Sequence, residues 1–411
     1  MRSIFTPLTW LLIAYVALLA VRGKVWNGEG IDECYYFAQV ASPVFDGDLN
    51  FENDFLQSRN SYDMRLALAN RIYRDGKTDL PFPCGMAVIS APAILAVKFV
   101  HGRRESDDRY AYSYRAAFTL TTWMAVLLGL IACQRIASRF TNEACAALLA
   151  GALFLGTNLC YYTWVAPAMS HGASFGIAAL FLLSVFRYRE SPCGTRAAIA
   201  GALAGLAFLV RWQDAILFIA FFATWFWGPR RRRDLVVAGV FAFLVAMPQF
   251  IVWKKIYGSA LAIPQGGEFF VAQWWRPFAV LFSPLNGWIA SHPILALFVA
   301  AFVVLRRDRL IAVCFAIVII EIIVNSLAGD WWAGGSFGNR RFISVYPLLI
   351  PAAAVAASRA TGVGKSFAAV FTAGCIAVNV LLVSRFTYEA PHPIFWGRFF
   401  SRLPDYVQFL T

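Results

Sequence analysis

Charge is scarce in this chain of 411 residues: 14% of them are charged, 60% are hydrophobic, and the mean hydropathy is +0.61. Soluble globular domains carry about 25% charged residues, so the scarcity excludes that class. The many apolar runs of membrane-spanning length make this a polytopic membrane protein. Acidic residues are fewer still, 23 against 36 Lys and Arg, which leaves a net charge of +13. That excess does not indicate a nucleic-acid partner, because the arginine clusters sit in short connectors between apolar runs, where they set orientation. No A-x-A cleavage site follows the first apolar segment, Thr6 to Val21, before Arg22 and Lys24, so the segment is expected to remain as a first helix. Internal inverted repeats and low-complexity tracts are lacking too, which weighs against a transporter built from repeats. Most of the 8 cysteines lie in apolar runs, where a packed, reduced thiol is the default. Cys34 and Cys84 differ, since both fall in one extramembrane segment that would permit a disulfide in an oxidising compartment.

A window of about 20 apolar residues places spans near 6–22, 115–134, 144–163, 172–188, 196–211, 213–228, 235–253, 285–305, 310–328, 342–358 and 365–384. A further run, Pro81 to Val100, breaks parity if it crosses. If it lies in the interface or re-enters, the connectors RYRESPCGTR, GPRRRRD, LRRDR and ASRATGVGKS all fall on the cytoplasmic side, as the positive-inside rule requires. Pro81, Pro83 and Pro92 also suit a broken or surface-lying helix. The expectation is an all-α bundle of about eleven transmembrane helices, N-terminus cytoplasmic, forming one membrane-embedded domain over 1–411. It carries a long outer loop over 23–114 with interfacial helices and a short outer tail over 385–411. Polar, Gly-rich and Trp-rich stretches gather on the outer face, so any chemistry is expected there.

Four stretches hold candidate chemistry. IDECYYFAQ places Asp32 and Glu33 just after the first span, followed by Tyr35, Tyr36 and Phe37 at a spacing compatible with a short amphipathic interfacial helix. The acids either interact with the helix N-terminus or supply a general base. DGDLNFEND alternates Asp46, Asp48, Asn50, Glu52 and Asp54 like a calcium loop, but Phe51 stands where an EF-hand needs Gly and no Glu follows at the twelfth position; a polar turn between interfacial helices is the favoured reading. SFGNRRF presents Arg340 and Arg341 after a Gly-rich, Trp-bearing loop, and guanidinium forks match phosphate oxygens. AMSHGAS places His171 between two spans, as a packing residue or a donor to phosphate. Lys254 and Lys255 either snorkel or meet an anion, and Arg211 and Asp214 are spaced to pair across a tight turn. Glu321 is the clearest mid-span acid.

Together, the acid pair after the first span, the long outer loop, APAMSHG after the third span, LFSPLNGWIASHP and DWWAGGSFGNRRF resemble the GT-C superfamily of polytopic glycosyltransferases, in particular bacterial relatives of protein O-mannosyltransferases and lipid A aminoarabinose transferases. The resemblance implies transfer of a sugar from a polyprenyl-phosphate donor to a glycan, lipid or protein acceptor at the outer face of the bacterial cytoplasmic membrane. By it, Asp32 would be the general base, with Glu33 shaping the site. Arg340, Arg341, His171 and Lys255 would meet the donor phosphate, and Tyr35, Tyr36, Trp274 and Trp275 would stack on sugar. A divalent cation is left open as a cofactor. The chain departs from its relatives at two points: Ser170-His171 stands where many have an acid in the second outer loop, and DLPFP lacks the Lys-Pro of aminoarabinose transferases, leaving Lys77 or the arginines for phosphate. Two other classes stay open, a transporter or flippase for a lipid-linked sugar and a glycan polymerase or ligase.

Overall fold

A computed structural model describes residues 6–60, 81–101, 108–228, 231–264, 269–304 and 308–385; Lys77 and the tail from 386 lie outside them. In chain order the helices are α1 (Pro7–Arg22), α2 (Ile31–Phe45), α3 (Glu52–Gln57), α4 (Gly85–His101), α5 (Tyr112–Ala137), α6 (Glu143–Leu155), α7 (Tyr161–Trp164), α8 (Ser170–Glu190) and α9 (Gly194–Val210). There follow α10 (Phe218–Trp227), α11 (Arg232–Tyr257), α12 (Arg276–Phe282), α13 (Trp288–Ser291), α14 (Ile294–Val304), α15 (Arg309–Leu327), α16 (Tyr346–Arg359) and α17 (Gly362–Arg385). Among the described residues, the extended pairing is a single antiparallel bridge, Phe270 with Ala328. Among the described residues, six helical stretches are long and apolar enough to cross a membrane, and four further apolar helices are shorter.

Several expected spans are interrupted, each by local chemistry. The 144–163 span stops at Leu155, where Gly156 caps the helix and a side chain at Gly156 would collide with Ile294. The 285–305 span divides into α13 and α14 at His292 and Pro293, a proline having no backbone N–H to continue the ladder. The 213–228 and 342–358 spans open as 3-10 helices over Trp212–Leu217 and Arg340–Val345. Of the two alternatives left for the run from Pro81, a broken or a surface-lying helix, the break does not occur: Gly85–His101 is the continuous helix α4, with Pro81 and Pro83 before it and only Pro92 within. Elsewhere side chains set the starts, Asn142 accepting from the Cys145 amide and Asp308 from the amides of Leu310 and Ile311, caps worth about 1 kcal/mol each.

The chain forms two compact units. The first comprises Ala14–Gly129 and Tyr162–Gly267. Its helices approach closely through small residues, as membrane helices do. Gly201 and Gly205 of α9 lie against the backbone of Ala238 and Ala242 in α11, and Gly176 of α8 lies against Ala125 of α5, so an added Cβ would strike backbone at each. Helix α2 is a core element here, not the amphipathic surface helix expected, because every residue from Cys34 to Ser42 is buried. Tyr35 packs on Phe55 and Phe82, Tyr36 on Phe82, and Phe37 on Trp26, Tyr110 and Phe118. Arg115 stitches this cluster together by donating to the carbonyls of Trp26 and Tyr110. Cys34 and Cys84 are separate buried thiols, so the disulfide left open by the sequence is not formed. Burial pushes both up to about 12.

The second unit comprises Met1–Ile13, Leu130–Tyr161 and Glu268–Thr411. In it the two motifs LFSPLNGWIASHP and DWWAGGSFGNRRF pack on each other. The Asn286 amide donates to the carbonyls of Trp332 and Gly334, Trp288 stacks on Phe342 at 4.6 Å, and His292 lies against Phe337. Gly338, with φ of 64°, sits against the His292 ring, so this turn admits no side chain. Tyr346 donates to Asn158, and Asn379 donates to the carbonyls of Leu155 and Thr157, satisfying the helix end that Gly156 opens.

Candidate active site

The acid pair lies at the start of α2, and the structure gives its two members different surroundings. Gly30 is the cap residue, with φ of 92° and no side chain to offer. Ile31, Asp32 and Glu33 are therefore the first three helical positions, at the positive end of the helix dipole. From the third position the Glu33 carboxylate folds back over Gly30, close enough that a Cβ on residue 30 would collide with Oε2. There a carboxylate meets the positive end of the helix dipole. Glu33 thus carries the local role that the sequence left between the two, and Asp32, half-buried at the second position, remains the candidate for chemistry.

Asp32 and Tyr36 are one turn apart and share a face of α2. Tyr36 accepts a hydrogen bond from Ser170 Oγ at 3.0 Å, which ties this face to the first turn of α8. The next residue, His171, is buried, packs edge-on against Tyr162 and meets Arg211 Nη1 through Nδ1 at 2.6 Å. Arginine has donors only, so Nδ1 accepts and the ring carries its proton on Nε2. His171 therefore presents a neutral N–H donor. Arg211 is further held by Gln213 at 2.9 Å, while Asp214 accepts from Ser174 at 2.5 Å, so the expected Arg211–Asp214 pairing gives way to partners in and beside α8. These contacts, forty residues apart in the chain, carry no local sequence signal. Lys255 is exposed in the last turn of α11, where a cation complements the helix C-terminus.

The rings of Tyr35 and Tyr36 are occupied by packing in the core of the unit. DGDLNFEND forms the polar turn between α2 and α3, and its three aspartates help to build it. Asp48 accepts from Ser42 and from the Asn50 amide, and Asp46 accepts from Asn53 and Arg109. Asp54, fully buried, shares the same Arg109 at 2.5 Å. Burial is the largest influence on Asp54 and pushes its carboxyl up to about 7, whereas the Arg109 hydrogen bond holds Asp46 below its ordinary value. Among the described residues no group of three or more His, Cys, Asp or Glu side chains gathers as metal ligands.

In the second unit, Arg340 and Arg341 open the 3-10 helix after the Gly-rich loop. Asn339 accepts from the Arg341 amide and donates to the Trp331 carbonyl. Arg341 is already committed: its guanidinium pairs with Asp330 at 2.5 Å and lies over the Phe269 ring. The acid that neutralises it was visible in the same loop, eleven residues upstream. Arg340 is half-buried beside it. Trp275 packs edge-on against Trp331, while Trp274 is 90% exposed and presents an open ring face. Glu321, within α15, is fully buried and accepts through Oε1 from Asn325 one turn on.

No family model matches this chain, and no curated protein matches it. Among solved structures, the crystal structure of ArnT from Cupriavidus metallidurans bound to undecaprenyl phosphate is similar, with a TM-score of 0.55 at 17% identity over 92% of this chain and 64% of that one. This chain thus spans 64% of that structure's length. The likeness establishes the fold: an all-α polytopic membrane protein with the architecture of that structure.

Proposed function

We propose that this protein is a membrane glycosyltransferase that moves a sugar from a polyprenyl-phosphate donor to a glycan or lipid acceptor at the outer face of the cytoplasmic membrane. The observation that carries the reading is the shared fold with a protein solved with undecaprenyl phosphate bound. The position of Asp32 at the head of α2 supports it.

In this mechanism Asp32 removes the proton from an acceptor hydroxyl as the oxygen attacks the anomeric carbon, and the bond to the carrier phosphate breaks in the same displacement, inverting the centre. The neutral His171, oriented by Arg211, donates a hydrogen bond through Nε2, positioning the acceptor or a sugar hydroxyl. Within its own unit Arg340 is the proposed ligand for phosphate, a group whose growing negative charge on departure is the main thing to stabilise in such a transfer. Arg341 shapes the loop through Asp330, and Trp274 offers its ring to a sugar face.

The test is a comparison of outer glycolipid and polysaccharide profiles in cells with no copy, the native chain, or Asp32→Asn at equal abundance. One glycan modification is expected to vanish without the protein and to stay absent with Asp32→Asn. Restoration by Asp32→Asn removes Asp32 from the mechanism, and an unchanged profile in the null cells removes the transferase reading.

A further inference from the structure

A cavity of about 830 Å³ opens between the first turns of α9 and α11, lined by Cys193, Gly194, Thr195, Ala198, Ala202, the three arginines Arg231 to Arg233, Val237 and Phe241. Its volume is that of a ligand site, for which about 300–1,000 Å³ is usual. It has two chemically distinct halves. At one end Arg231, Arg232 and Arg233 are all exposed; Arg231 is braced by donating to the Pro192 carbonyl at 3.0 Å. The single acid there, Asp234, is buried and accepts from the Tyr188 hydroxyl at 3.0 Å, so its carboxylate is directed into the protein. From this basic end an apolar trough runs along the helices. Gly194, Ala198 and Ala202 repeat every four residues on α9 and leave space, with Val237 and Phe241 facing them from α11. Phe241 and the adjoining Ile199 are 43% and 50% exposed.

We infer that this cavity binds an anionic phospholipid, the phosphate held by Arg231 to Arg233 and an acyl chain lying along Ala198, Ala202, Val237 and Phe241. The charge and the trough are both needed for this assignment. A soluble phosphate would leave the apolar half wet, and an uncharged lipid would leave three cations together without a counter-charge. Basic pockets between membrane helices are suited to such headgroups. The site is separate from the proposed chemistry within the same unit. Helix α9 runs from Gly194, at the cavity, to Val210, next to the Arg211 that holds His171. Its 17 residues span about 25 Å at 1.5 Å per residue. A phosphate bound at the arginines is therefore a lipid held for stability or orientation, and not a donor placed for attack.

The test is lipid retention by the purified full-length protein in native mass spectrometry. It offers phosphatidylglycerol, phosphatidylcholine with the same acyl chains, and a polyprenyl monophosphate in separate arms. The native chain is expected to retain phosphatidylglycerol at least about 25-fold over phosphatidylcholine. Each arginine near a lipid phosphate is worth about fivefold, so Arg232→Gln with Arg233→Gln should weaken phosphatidylglycerol by about 25-fold and leave phosphatidylcholine unchanged. Ala198→Trp, which fills the trough, should reduce retention of both. Should the double variant misfold, Arg233→Gln alone must show its fivefold loss. Equal retention of the two phospholipids by the native chain, or an unchanged preference in the arginine variants, overturns the assignment. So does a loss of polyprenyl monophosphate in those variants larger than the loss of phosphatidylglycerol, since the cavity would then be a carrier site.

Discussion

Replacing Asp32 and Glu33 one at a time separates a base from a helix-end charge. Asp32→Asn keeps the shape of the side chain and removes its ability to accept a proton. General-base assistance contributes about 10²- to 10⁴-fold, so turnover should fall by that factor, which corresponds to about 2.7–5.4 kcal/mol of barrier at 1.36 kcal/mol per tenfold. The thermal midpoint should stay near that of the native chain. Glu33→Gln acts elsewhere, because its carboxylate folds back over Gly30 at the head of its own helix. Losing that charge costs about 1 kcal/mol of helix stability, a shift of about 2 °C in midpoint, with turnover within about threefold of native. Gly30→Ala provides a third reading of the same geometry. Its φ of 92° and the collision with Glu33 Oε2 should cost about 1–3 kcal/mol, a larger loss than Glu33→Gln. The assay is sugar transfer from the lipid-linked donor by protein reconstituted in lipid, with unfolding followed on the same preparations. Full turnover in Asp32→Asn would refute the base. A collapse of turnover in Glu33→Gln with no change in midpoint would show that the two roles are reversed.

The arginine pair should divide in the same way: Arg340→Ala should raise the donor KM by about tenfold to a hundredfold, the worth of one charged hydrogen bond to phosphate, whereas Arg341→Ala should chiefly lower the midpoint, because it strands Asp330; equal effects on KM would overturn the division. In the turn after α2, the Asp54 carboxyl is raised from 3.8 to about 7 by burial. A raised acid stabilises the folded state fully below its unfolded value and loses that contribution as pH climbs through the folded value. Stability should therefore decline between about pH 4 and pH 7, by at most about 1.4 kcal/mol per pH unit, and Asp54→Asn should flatten the decline. Asp46, held low by Arg109, acts in the opposite sense and only below pH 3.8, where its protonation weakens the fold. An equally steep profile in Asp54→Asn would mean that another group titrates. Gly338→Ala should cost about 1–3 kcal/mol through its φ of 64° and the His292 ring; an unchanged midpoint would show that the turn relaxes freely.

The membrane helices were readable because an apolar run of about 20 residues has few other solutions, and the runs at 115–134, 235–253, 310–328 and 365–384 correspond to α5, α11, α15 and α17. Their interruptions were harder to read. A break at Gly156 or at His292-Pro293 rests on one or two residues whose backbone groups are satisfied by partners such as Asn379, more than two hundred positions away. Helix α2 was misjudged for the same reason. Tyr35, Tyr36 and Phe37 look like the apolar side of a surface helix until Ser170 and Phe82 are folded against Tyr36 from distant parts of the chain. Within the candidate site, the sequence showed acids, arginines and a histidine but not their assignments. What distinguishes Asp32 from Glu33 is the conformation of a glycine, and what makes His171 a neutral donor is an arginine forty residues on. Arg341 is the exception. Its partner Asp330 lies in the same short loop, so an acid and a base flanking five small or glycine residues were a signal that this guanidinium holds the loop together.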